Sequence, residues 1–595
     1  MTKMARGQTT AMCRSIASGL AAWALAAGAA SASGACQFVK VADLPVTMAG
    51  TQPLVTAKIN GRDAHFLIDT GGFYSILAEG EIGAYGLKTT KAPSTFAVGG
   101  VSGASSTAKI AKVDEFTYAG IPIKQISFLV LPDRDAAGVV GTIAQNLLGA
   151  VDVEYDLANG LIRLWQAKDC AGANLAYWSD GKPFSVLTTA PQTASRPHII
   201  VEAKVNGYDI RAVMDTGASH SILDRTAARR AGVDMSAANL KPAGLAGGYG
   251  GAIEEWIGGV DSLTIGGEEI HRTKLRMGNV DLPGGDMLLG ADFFLSHRVM
   301  VARSQHKVFF TYNGGPVFRL DQPARTAGAK EDAAPGDAPK QLATADEFAR
   351  RGAASAARND LTSGLADISK AIEMEPSNAD FRVVRARIRI KAEAKSDALK
   401  DLDEAVKLKP QDQPVRLARA DLRLELKDIK GGEEDFQAAI KLTPLDHALP
   451  LNVALRLADG HATEGALRLL NGWIEDNPED EQLPKALDER CWARALAATE
   501  LDQALKDCDE AVRKGRRAAI ETRGLVFLRM GRYDEAVGQY SQVIFDYPRA
   551  AMALYGRGVA RSKEGQAAQA KADLDAAMTA DKAIVELAQS FGIQP

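Results

Sequence analysis

The chain has 595 residues, a formal net charge of −4, and 46% hydrophobic and 24% charged residues. A chain of this length is too long for a single hydrophobic core, so several domains are expected, and the composition is that of a globular rather than a disordered protein. The slightly acidic balance argues against a polyanionic partner, so nucleic-acid binding is not expected.

The first residues have the order that is typical of a secretory signal peptide. Three basic residues before position 15 precede an apolar run from Ile16 to Ala30, and Ala30-Ser31-Ala32 is a small-x-small cleavage site. A single membrane anchor is the alternative, but the run is short and rich in Ala and Gly. The sequence therefore predicts a signal peptide over residues 1–32, an exported protein that is periplasmic or secreted, and no membrane span after signal removal.

Four of the five cysteines remain after the signal is removed, an even number that suits disulfides in an oxidising compartment. Cys36 and Cys170 flank the next part of the chain and could join its two ends. Cys491 and Cys508 lie on successive predicted helices and could join that helix pair. Four buried free thiols are the alternative.

A segment between residues 54 and 77 recurs between residues 200 and 223, with a constant offset of 146. Each copy contains an Asp-Thr-Gly triplet after an apolar strand, at Asp69-Thr70-Gly71 and at Asp215-Thr216-Gly217. A fixed offset of this kind indicates a duplicated structural unit. Two such units can bring two carboxylates together across a pseudo-twofold axis.

The first unit, residues 33–176, consists mainly of short predicted strands. Asn60-Gly61 joins two of them as a hairpin turn, and Asp69 follows the second strand. Gly71 lets backbone N–H groups approach that carboxylate. Three features follow in order: a glycine-rich hairpin tip over 96–103, the apolar pair and glycine Leu147-Leu148-Gly149, and a closing hairpin over 151–165.

The second unit, residues 177–320, repeats this order. Asn206-Gly207 is its hairpin turn, 244–251 its glycine-rich tip, Leu288-Leu289-Gly290 its apolar pair and glycine, and 299–312 its closing hairpin. Because each unit is made of short strands and turns, both are expected to be all-β.

This order of parts resembles the retropepsin-like aspartic peptidases over about residues 45–320. The resemblance implies a two-lobed acid-protease fold in which Asp69 and Asp215 are the catalytic pair. It also implies that Thr70 and Thr216 hydrogen-bond across the lobe interface, with Gly71 and Gly217 beside the carboxylates. The family has Ala or Ser after the first triplet, where this chain has Gly72.

In that family the glycine-rich tips are flaps that close over an extended peptide substrate and exclude water. The matching flap residues are Gly99, Gly100, Gly247, Gly248 and Tyr249. Tyr249 is a candidate substrate contact at a flap tip, and an ordinary exposed loop tyrosine is the alternative.

Two carboxylates held close together share one proton over a useful pH range. The ionised member can then take a proton from water, and the protonated member can donate to the substrate carbonyl, with no cofactor. Two alternatives remain for these residues: ordinary Asp-x-Gly turns, and lobes that bind peptides without cleaving them. Serine-nucleophile, zinc and phosphate-binding motifs are not found in the sequence.

After a linker rich in Ala, Pro and Gly over 321–342, residues 343–595 are predicted to be helical. Pro376, Pro410, Pro444 and Pro478 are spaced by 34 residues. This pattern resembles tetratricopeptide repeats, which have two helices per unit. We count seven copies from about Ala345 to Ala583, the fifth irregular. Such an array offers a concave groove for a peptide or partner protein. The alternative is that the array is a purely structural appendage. The Glu, Lys and Arg runs on its helices are expected to be solvated faces.

The sequence therefore predicts a multidomain protein: an all-β, two-lobed retropepsin-like domain followed by an all-α tetratricopeptide solenoid. The predicted function is an aspartic endopeptidase with a repeat domain that binds a substrate or a scaffold protein. The alternative is a non-catalytic peptide-binding or scaffold protein with pseudo-protease lobes.

Overall fold

Asn-Gly turns and alternating polarity determine the strands of the N-terminal half, as the computed structural model of the chain shows. At the first turn Asn60 and Gly61 have φ values of 50° and 81°, and at the second Asn206 and Gly207 have φ values of 50° and 77°. These left-handed conformations twist the chain in the sense that hairpin strands need, so both predicted hairpins form.

The structure describes residues 36–92, 97–99, 105–131, 139–192, 198–236, 238–248, 251–282, 284–315, 317–318, 342–442, 449–480 and 482–595. Of 97–99, 105–107, 245–248 and 251–252 it describes the backbone only. The predicted signal peptide and nearly all of the predicted linker lie outside the described residues.

The first lobe is an eight-stranded sheet in which β3 also pairs with β9, so that the sheet curls on itself. Its strand order is β2-β3-β4-β11-β5-β10-β9-β6. The strands of this half of the chain are β1 (Gln37–Pro45), β2 (Thr47–Ala49), β3 (Gln52–Ile59), β4 (Arg62–Ile68), β5 (Ile76–Ala78), β6 (Thr89–Lys91), β7 (Ala97–Gly99), β8 (Ser105–Thr107), β9 (Lys109–Tyr118), β10 (Ile121–Leu131), β11 (Gly141–Ile143), β12 (Asp152–Asp156) and β13 (Leu161–Lys168), with a short helix α1 (Gln145–Leu148).

The second lobe repeats this arrangement as a seven-stranded sheet in which β15 also pairs with β19. Its strand order is β15-β16-β21-β17-β20-β19-β18. The elements of this half are β14 (Ser185–Thr188), β15 (Ile200–Val205), β16 (Tyr208–Met214), β17 (Ile222–Asp224), α2 (Arg225–Arg230), β18 (Lys241–Gly248), β19 (Gly251–Ile265), β20 (Glu268–Gly278), β21 (Met287–Leu289), α3 (Ala291–Ser296), β22 (His297–Ala302) and β23 (Lys307–Tyr312).

The two closing hairpins meet in a six-stranded sheet that joins the lobes, with the order β1-β13-β12-β22-β23-β14. At its centre Tyr155 of β12 pairs with Val299 of β22 in antiparallel register. Because both residues are also buried in the core shared by the lobes, this sheet fixes the lobes relative to each other.

The helical part contains seven helix pairs and a final short helix within the described residues. The helices are α4 (Ala345–Ala357), α5 (Leu361–Met374), α6 (Ala379–Lys391), α7 (Lys395–Leu408), α8 (Gln413–Glu425), α9 (Ile429–Leu442), α10 (Leu449–Asp459), α11 (Thr463–Asp476), α12 (Leu483–Ala497), α13 (Leu501–Arg513), α14 (Ala519–Arg529), α15 (Tyr533–Asp546), α16 (Ala551–Lys563), α17 (Ala567–Ala580) and α18 (Ile584–Ser590).

The described chain divides into two compact units after Pro410, so the first two helix pairs belong with the lobes. Ala353, Ala354 and Ala357 of α4 are buried in the same apolar cluster as the lobe strands. Gly160 of the first lobe lies beside Arg350 on this helix, and its carbonyl accepts a hydrogen bond from Val46 N–H at 2.9 Å. The helix α4 is thus an integral part of the lobe core.

Arginine and aspartate side chains form buried pairs between the two helices of most repeats. In the third pair, Arg419 donates to both carboxylate oxygens of Asp435 at 2.6 and 2.7 Å, and Asp435 is 2% exposed. Four other pairs have the same arrangement: Arg351–Asp367, Arg385–Asp401, Arg490–Asp507 and Arg557–Asp573. Some arginines of these helices therefore lie in buried pairs and not on the solvated faces that the sequence predicts for Glu, Lys and Arg runs, because bidentate pairing lets an arginine and an aspartate be buried together.

Candidate active site

The two Asp-Thr-Gly loops follow equivalent strands of the two lobes. β4 runs parallel to β11, and the N–H group of Asp69 donates to the carbonyl of Ile143 at 3.0 Å. β16 runs parallel to β21, and the N–H group of Asp215 donates to the carbonyl of Leu289 at 2.8 Å. Each aspartate is thus anchored through its own backbone at the end of a buried strand.

Thr70 and Thr216 cross the interface between the lobes. The hydroxyl of Thr70 donates to the carbonyl of Met214 at 2.8 Å, and that of Thr216 donates to the carbonyl of Ile68 at 2.7 Å. Each threonine N–H group also donates to the hydroxyl oxygen of the other, at 3.2 Å from Thr70 and 2.9 Å from Thr216. Both threonines are buried, so four reciprocal hydrogen bonds fix the two loops against each other.

The glycines of the triplets face the aspartate of the opposite lobe. A Cβ added to Gly71 would lie 2.5 Å from both carboxylate oxygens of Asp215, and one added to Gly217 would lie 2.7 Å from Oδ1 of Asp69. The second position is also 3.1 Å from Oδ1 of Asp215. The two carboxylates therefore face the same small space, which only glycine leaves open.

The electrostatics of the pair favour one shared proton. Burial, and then the charge of Asp69, raise the pKa of Asp215 to about 7. Backbone N–H groups partly oppose this shift, since Gly217 N–H donates to Oδ1 of Asp215 at 2.9 Å. Gly72 N–H donates to Oδ1 of Asp69 at 2.8 Å. The pair can hold one proton between two carboxylates at a pH where isolated aspartates are ionised.

A serine in each lobe supports the loop from behind. The hydroxyl of Ser75 donates to Oδ1 of Asn146 at 2.7 Å and accepts from Ala144 N–H at 3.0 Å. The hydroxyl of Ser221 donates to Asp292 at 2.6 Å and accepts a hydrogen bond in the same way. Burial raises the pKa of Asp292 to about 6. No sequence motif marks these residues, although the constant offset of 146 relates both pairs.

The offset of 146 corrects one predicted correspondence between the lobes. The sequence pairs Leu147-Leu148-Gly149 with Leu288-Leu289-Gly290, but β21 corresponds to β11, and Gly290 corresponds to Ala144. Leu147 and Leu148 lie on α1 instead. Sequence similarity alone placed the match too late because the β11 strand, Gly-Thr-Ile, is less apolar than its counterpart.

Three further polar residues surround the first loop, and no sequence motif predicts any of them. Gln145 donates to the carbonyl of Thr70 at 2.7 Å, and Arg303 of the second lobe in turn donates to Gln145. His198 hydrogen-bonds the backbone of Gly71 near Asp69, and its burial lowers its pKa. The residue equivalent to Gln145 in the second lobe is Ala291. Because the second lobe lacks an equivalent of Gln145, the duplicated sequence pattern does not predict this support of the first loop.

The predicted flap residues lie partly within the described chain. Gly247 and Gly248 end β18 of a hairpin in which Gly248 pairs with Gly251 of β19, and Tyr249 lies outside the described residues. Gly99 ends β7 and pairs with Ser105 of β8, and Gly100 lies outside the described residues.

All four described cysteines form disulfides. Cys36 is joined to Cys170, next to the point where Gln37 of β1 pairs with Lys168 of β13. Cys491 of α12 is joined to Cys508 of α13. The Cys36–Cys170 disulfide links the chain beside β1, the edge strand of the sheet that joins the lobes, to the end of β13.

Within the part of the chain that the structure describes, no group of three or more His, Cys, Asp or Glu residues is arranged to hold a metal ion. None of the described helices combines the length and apolar character that crossing a bilayer requires.

Sequence families agree with this geometry. Residues 55–150 and 201–293 match the family model described as "Aspartyl protease", and each segment contains one Asp-Thr-Gly triplet. The two lobes are retropepsin-like. Residues 521–583 match a model described as "Tetratricopeptide repeat", which agrees with the helix pairs that follow these retropepsin-like lobes.

Among solved structures, a tetratricopeptide repeat protein from Parabacteroides merdae is similar at 16% identity and a TM-score of 0.35, over 42% of this chain and 98% of that one. Yeast Tom70 is similar at 18% identity and a TM-score of 0.30, over 42% of this chain and 54% of that one. No curated protein sequence matches the chain significantly.

Proposed function

We propose that the two lobes form an aspartic endopeptidase in which Asp69 and Asp215 activate a water molecule. The observation that carries the proposal is the crossed contact of Gly71 with Asp215 and of Gly217 with Asp69, which leaves both carboxylates facing one space. The four reciprocal threonine hydrogen bonds support it, because they hold the loops at a fixed separation.

In the proposed reaction the ionised carboxylate takes a proton from water as the water oxygen attacks the peptide carbonyl carbon. The protonated carboxylate donates its proton to the carbonyl oxygen, which gives a tetrahedral intermediate. Transfer of a proton to the amide nitrogen then breaks the C–N bond and releases an amine and a carboxylic acid. The raised pKa of Asp215 supports this division of roles within the pair.

The test is peptide-library cleavage by the full chain and by two variants, Asp69→Asn and Asp215→Asn. Each change is expected to lower kcat/KM by about a thousandfold or more, because an amide cannot share the proton. Asp63→Asn and Asp209→Asn are matched controls, since these residues also obey the offset of 146 and are exposed partners of lysines. An aspartic-peptidase inhibitor that mimics the tetrahedral intermediate should block all cleavage.

Cleavage that survives either dyad substitution would contradict the proposal. A folded wild-type chain that binds peptides without cleaving any of them would favour the alternative, a peptide-binding protein with pseudo-protease lobes.

We further propose that the helix pairs bind a protein, as tetratricopeptide repeats do, and that the chain is exported to an oxidising compartment. The basic, apolar and small-residue order of residues 1–32 and the two disulfides support export. Fractionation of cells that express the full chain, followed by thiol alkylation, tests this. Cytoplasmic protein with free thiols would contradict it.

A further inference from the structure

The first Asp-Thr-Gly loop continues into two consecutive glycines, Gly71 and Gly72, where the second lobe has Gly217 and Ala218. The peptide plane between two glycines can rotate with little steric resistance, because neither residue has a Cβ that restricts its φ and ψ angles. Ala218 restricts the corresponding plane in the second lobe. The first loop lacks this restraint, and hydrogen bonds to its carbonyl groups supply another one.

The orientation of the Gly71–Gly72 peptide is important because its N–H group faces Asp69. Gly72 N–H donates to Oδ1 of Asp69 at 2.8 Å. None of the described peptide bonds is cis, so the carbonyl of Gly71 points to the opposite side of the chain from this N–H group. Rotation of the plane by half a turn would replace the donor beside Asp69 with a carbonyl oxygen, which repels an ionised carboxylate.

His198 of the second lobe holds the carbonyl of Gly71. Its ring hydrogen-bonds this carbonyl and is close enough to Asp69 to interact with its charge. Burial lowers the pKa of His198, so near neutral pH the ring is uncharged and has one N–H group, which this bond uses. The backbone beside the ring is anchored, because the carbonyl of Ile199 accepts a hydrogen bond from Met214 N–H at 2.9 Å.

The guanidinium group of Arg303 supports the loop along two branches. In the first branch Arg303 donates to Gln145, whose Nε2 donates to the carbonyl of Thr70 at 2.7 Å. In the second branch Nη1 of Arg303 donates to Oε1 of Gln192 at 2.7 Å, and Nε2 of Gln192 lies 3.5 Å from the carbonyl of His198. The two branches end on two consecutive carbonyls of the first loop.

We propose that His198 and Gln145 are positioning residues of the aspartate pair, and that Arg303 orients both of them. Together they fix two consecutive peptide planes of the first loop, so that Gly72 N–H stays on Asp69. This hydrogen bond favours the ionised form of Asp69, which is then the base that takes the proton from water. The inference rests on the proposed function and adds to it residues that act through the loop.

The test compares three variants of the full chain at position 198. His198→Phe keeps an aromatic ring without an N–H donor, whereas His198→Asn and His198→Gln keep an N–H donor that carries no charge at any pH. His198→Phe is expected to lower kcat for peptide cleavage at least about tenfold with little change in KM. The acidic side of its pH profile of kcat/KM should move up by about one unit, because Asp69 loses a hydrogen bond.

At least one of the two amide variants should keep the kcat and the pH profile of the wild type, because the loop needs the N–H donor and not an imidazolium charge. Gln145→Ala copies Ala291 of the second lobe and should also lower kcat. Combined with His198→Phe its effect should be less than additive, since both residues act through one loop. His65→Phe is the matched control, because this exposed histidine of β4 contacts Thr56 at 3.2 Å.

Hydrogen exchange supplies a readout that does not depend on cleavage. His198→Phe is expected to speed exchange of the Gly72 amide at least about tenfold, while exchange of the Ala218 amide stays unchanged. Unchanged exchange at Gly72, or equal losses of kcat in all three variants at position 198, would overturn the inference. A wild type that cleaves no peptide would instead contradict the proposed function, and faster exchange at Gly72 would still support the hold of His198 on the loop.

Discussion

Gly72 faces Ala144 so closely that a Cβ added to Gly72 would lie 3.2 Å from the Cβ of Ala144. The second lobe has the opposite pair at these positions, Ala218 and Gly290. There a Cβ on Gly290 would lie 2.5 Å from the backbone of His220. In the first lobe, methyl groups at both positions would therefore be crowded, and in the second lobe backbone atoms leave no room for a methyl group on Gly290. The two lobes differ in which of the two positions carries the methyl group.

Moving the methyl group from position 144 to position 72 in the first lobe tests this relationship. Gly72→Ala alone should lower stability and activity, since the new Cβ would also lie 3.0 Å from Oδ2 of Asp69. Adding Ala144→Gly should recover part of both losses, with a coupling free energy of about 1 kcal/mol in the double-mutant cycle. Chemical denaturation and peptide cleavage measure the two quantities. Strictly additive effects would show that the contact is unimportant.

Gly71→Ala should inactivate the proposed peptidase while the chain still folds. The added methyl group would overlap the carboxylate of Asp215 and force the dyad apart. Misplacement of reacting groups by about 1 Å typically lowers the rate about a hundredfold. Gly538→Ala is the control, because a Cβ at that position meets no atom within 4 Å. Full activity of Gly71→Ala would show that the loops separate in solution.

Peptide cleavage should decline as the pH rises through about 7, the raised pKa of Asp215. Because the pKa of Asp215 is raised from 3.8 to about 7 in the folded protein, the contribution of this proton to folding stability is full below about pH 4, declines as the pH rises, and is lost above about pH 7 together with the acid. A pH profile of kcat/KM measures this decline in cleavage. Asp292→Asn is the control, since burial raises the pKa of Asp292 to about 6. If the pH at which kcat/KM declines shifts in this variant, the decline is caused by the titration of Asp292 instead.

Three members of the charge cluster in the third repeat, Arg419, Arg423 and Asp435, should be replaceable only together. Asp435→Leu alone should lower the free energy of unfolding by about 3–5 kcal/mol, because it removes the carboxylate that pairs with Arg419 and Arg423 and that Arg416 also reaches at 3.3 Å. Adding Arg419→Val and Arg423→Leu should recover most of that loss. This triple variant copies the next repeat, which has Val453, Leu457 and Leu469 at these positions.

The control for this series is Glu434→Ala, which removes one member of an exposed pair with Lys430 and should change stability by less than about 0.5 kcal/mol. Chemical denaturation of the full chain measures all three variants. A triple variant as unstable as Asp435→Leu would show that the cluster has a role that apolar packing cannot replace.

Much of the fold could be predicted because its signals are local or periodic. The hairpin at Asn60-Gly61 follows from the left-handed conformation that these two residues tolerate, and the helix pairs follow from prolines spaced by 34 residues. The duplication with an offset of 146 predicted the two lobes before any contact was known. Asp69 and Asp215 stood out because an Asp-Thr-Gly triplet after an apolar strand occurs in both copies.

The rest depended on contacts between distant residues that no pattern marks. The support of Thr70 by Gln145 and Arg303 is one-sided, so the duplication does not signal it. The burial of Asp435 against Arg419 looks in the sequence like any charged helix face.

By itself, the sequence determined the elements, the duplication and the two carboxylates, because these follow from backbone preference and from a repeated pattern. Only the tertiary structure decided that Gly71 lies against Asp215, that Gly72 lies close to the methyl group of Ala144, and that Phe591 reaches Trp492. These relationships arise from packing between surfaces far apart in the chain. Packing depends on shape in three dimensions, which a linear pattern does not encode locally.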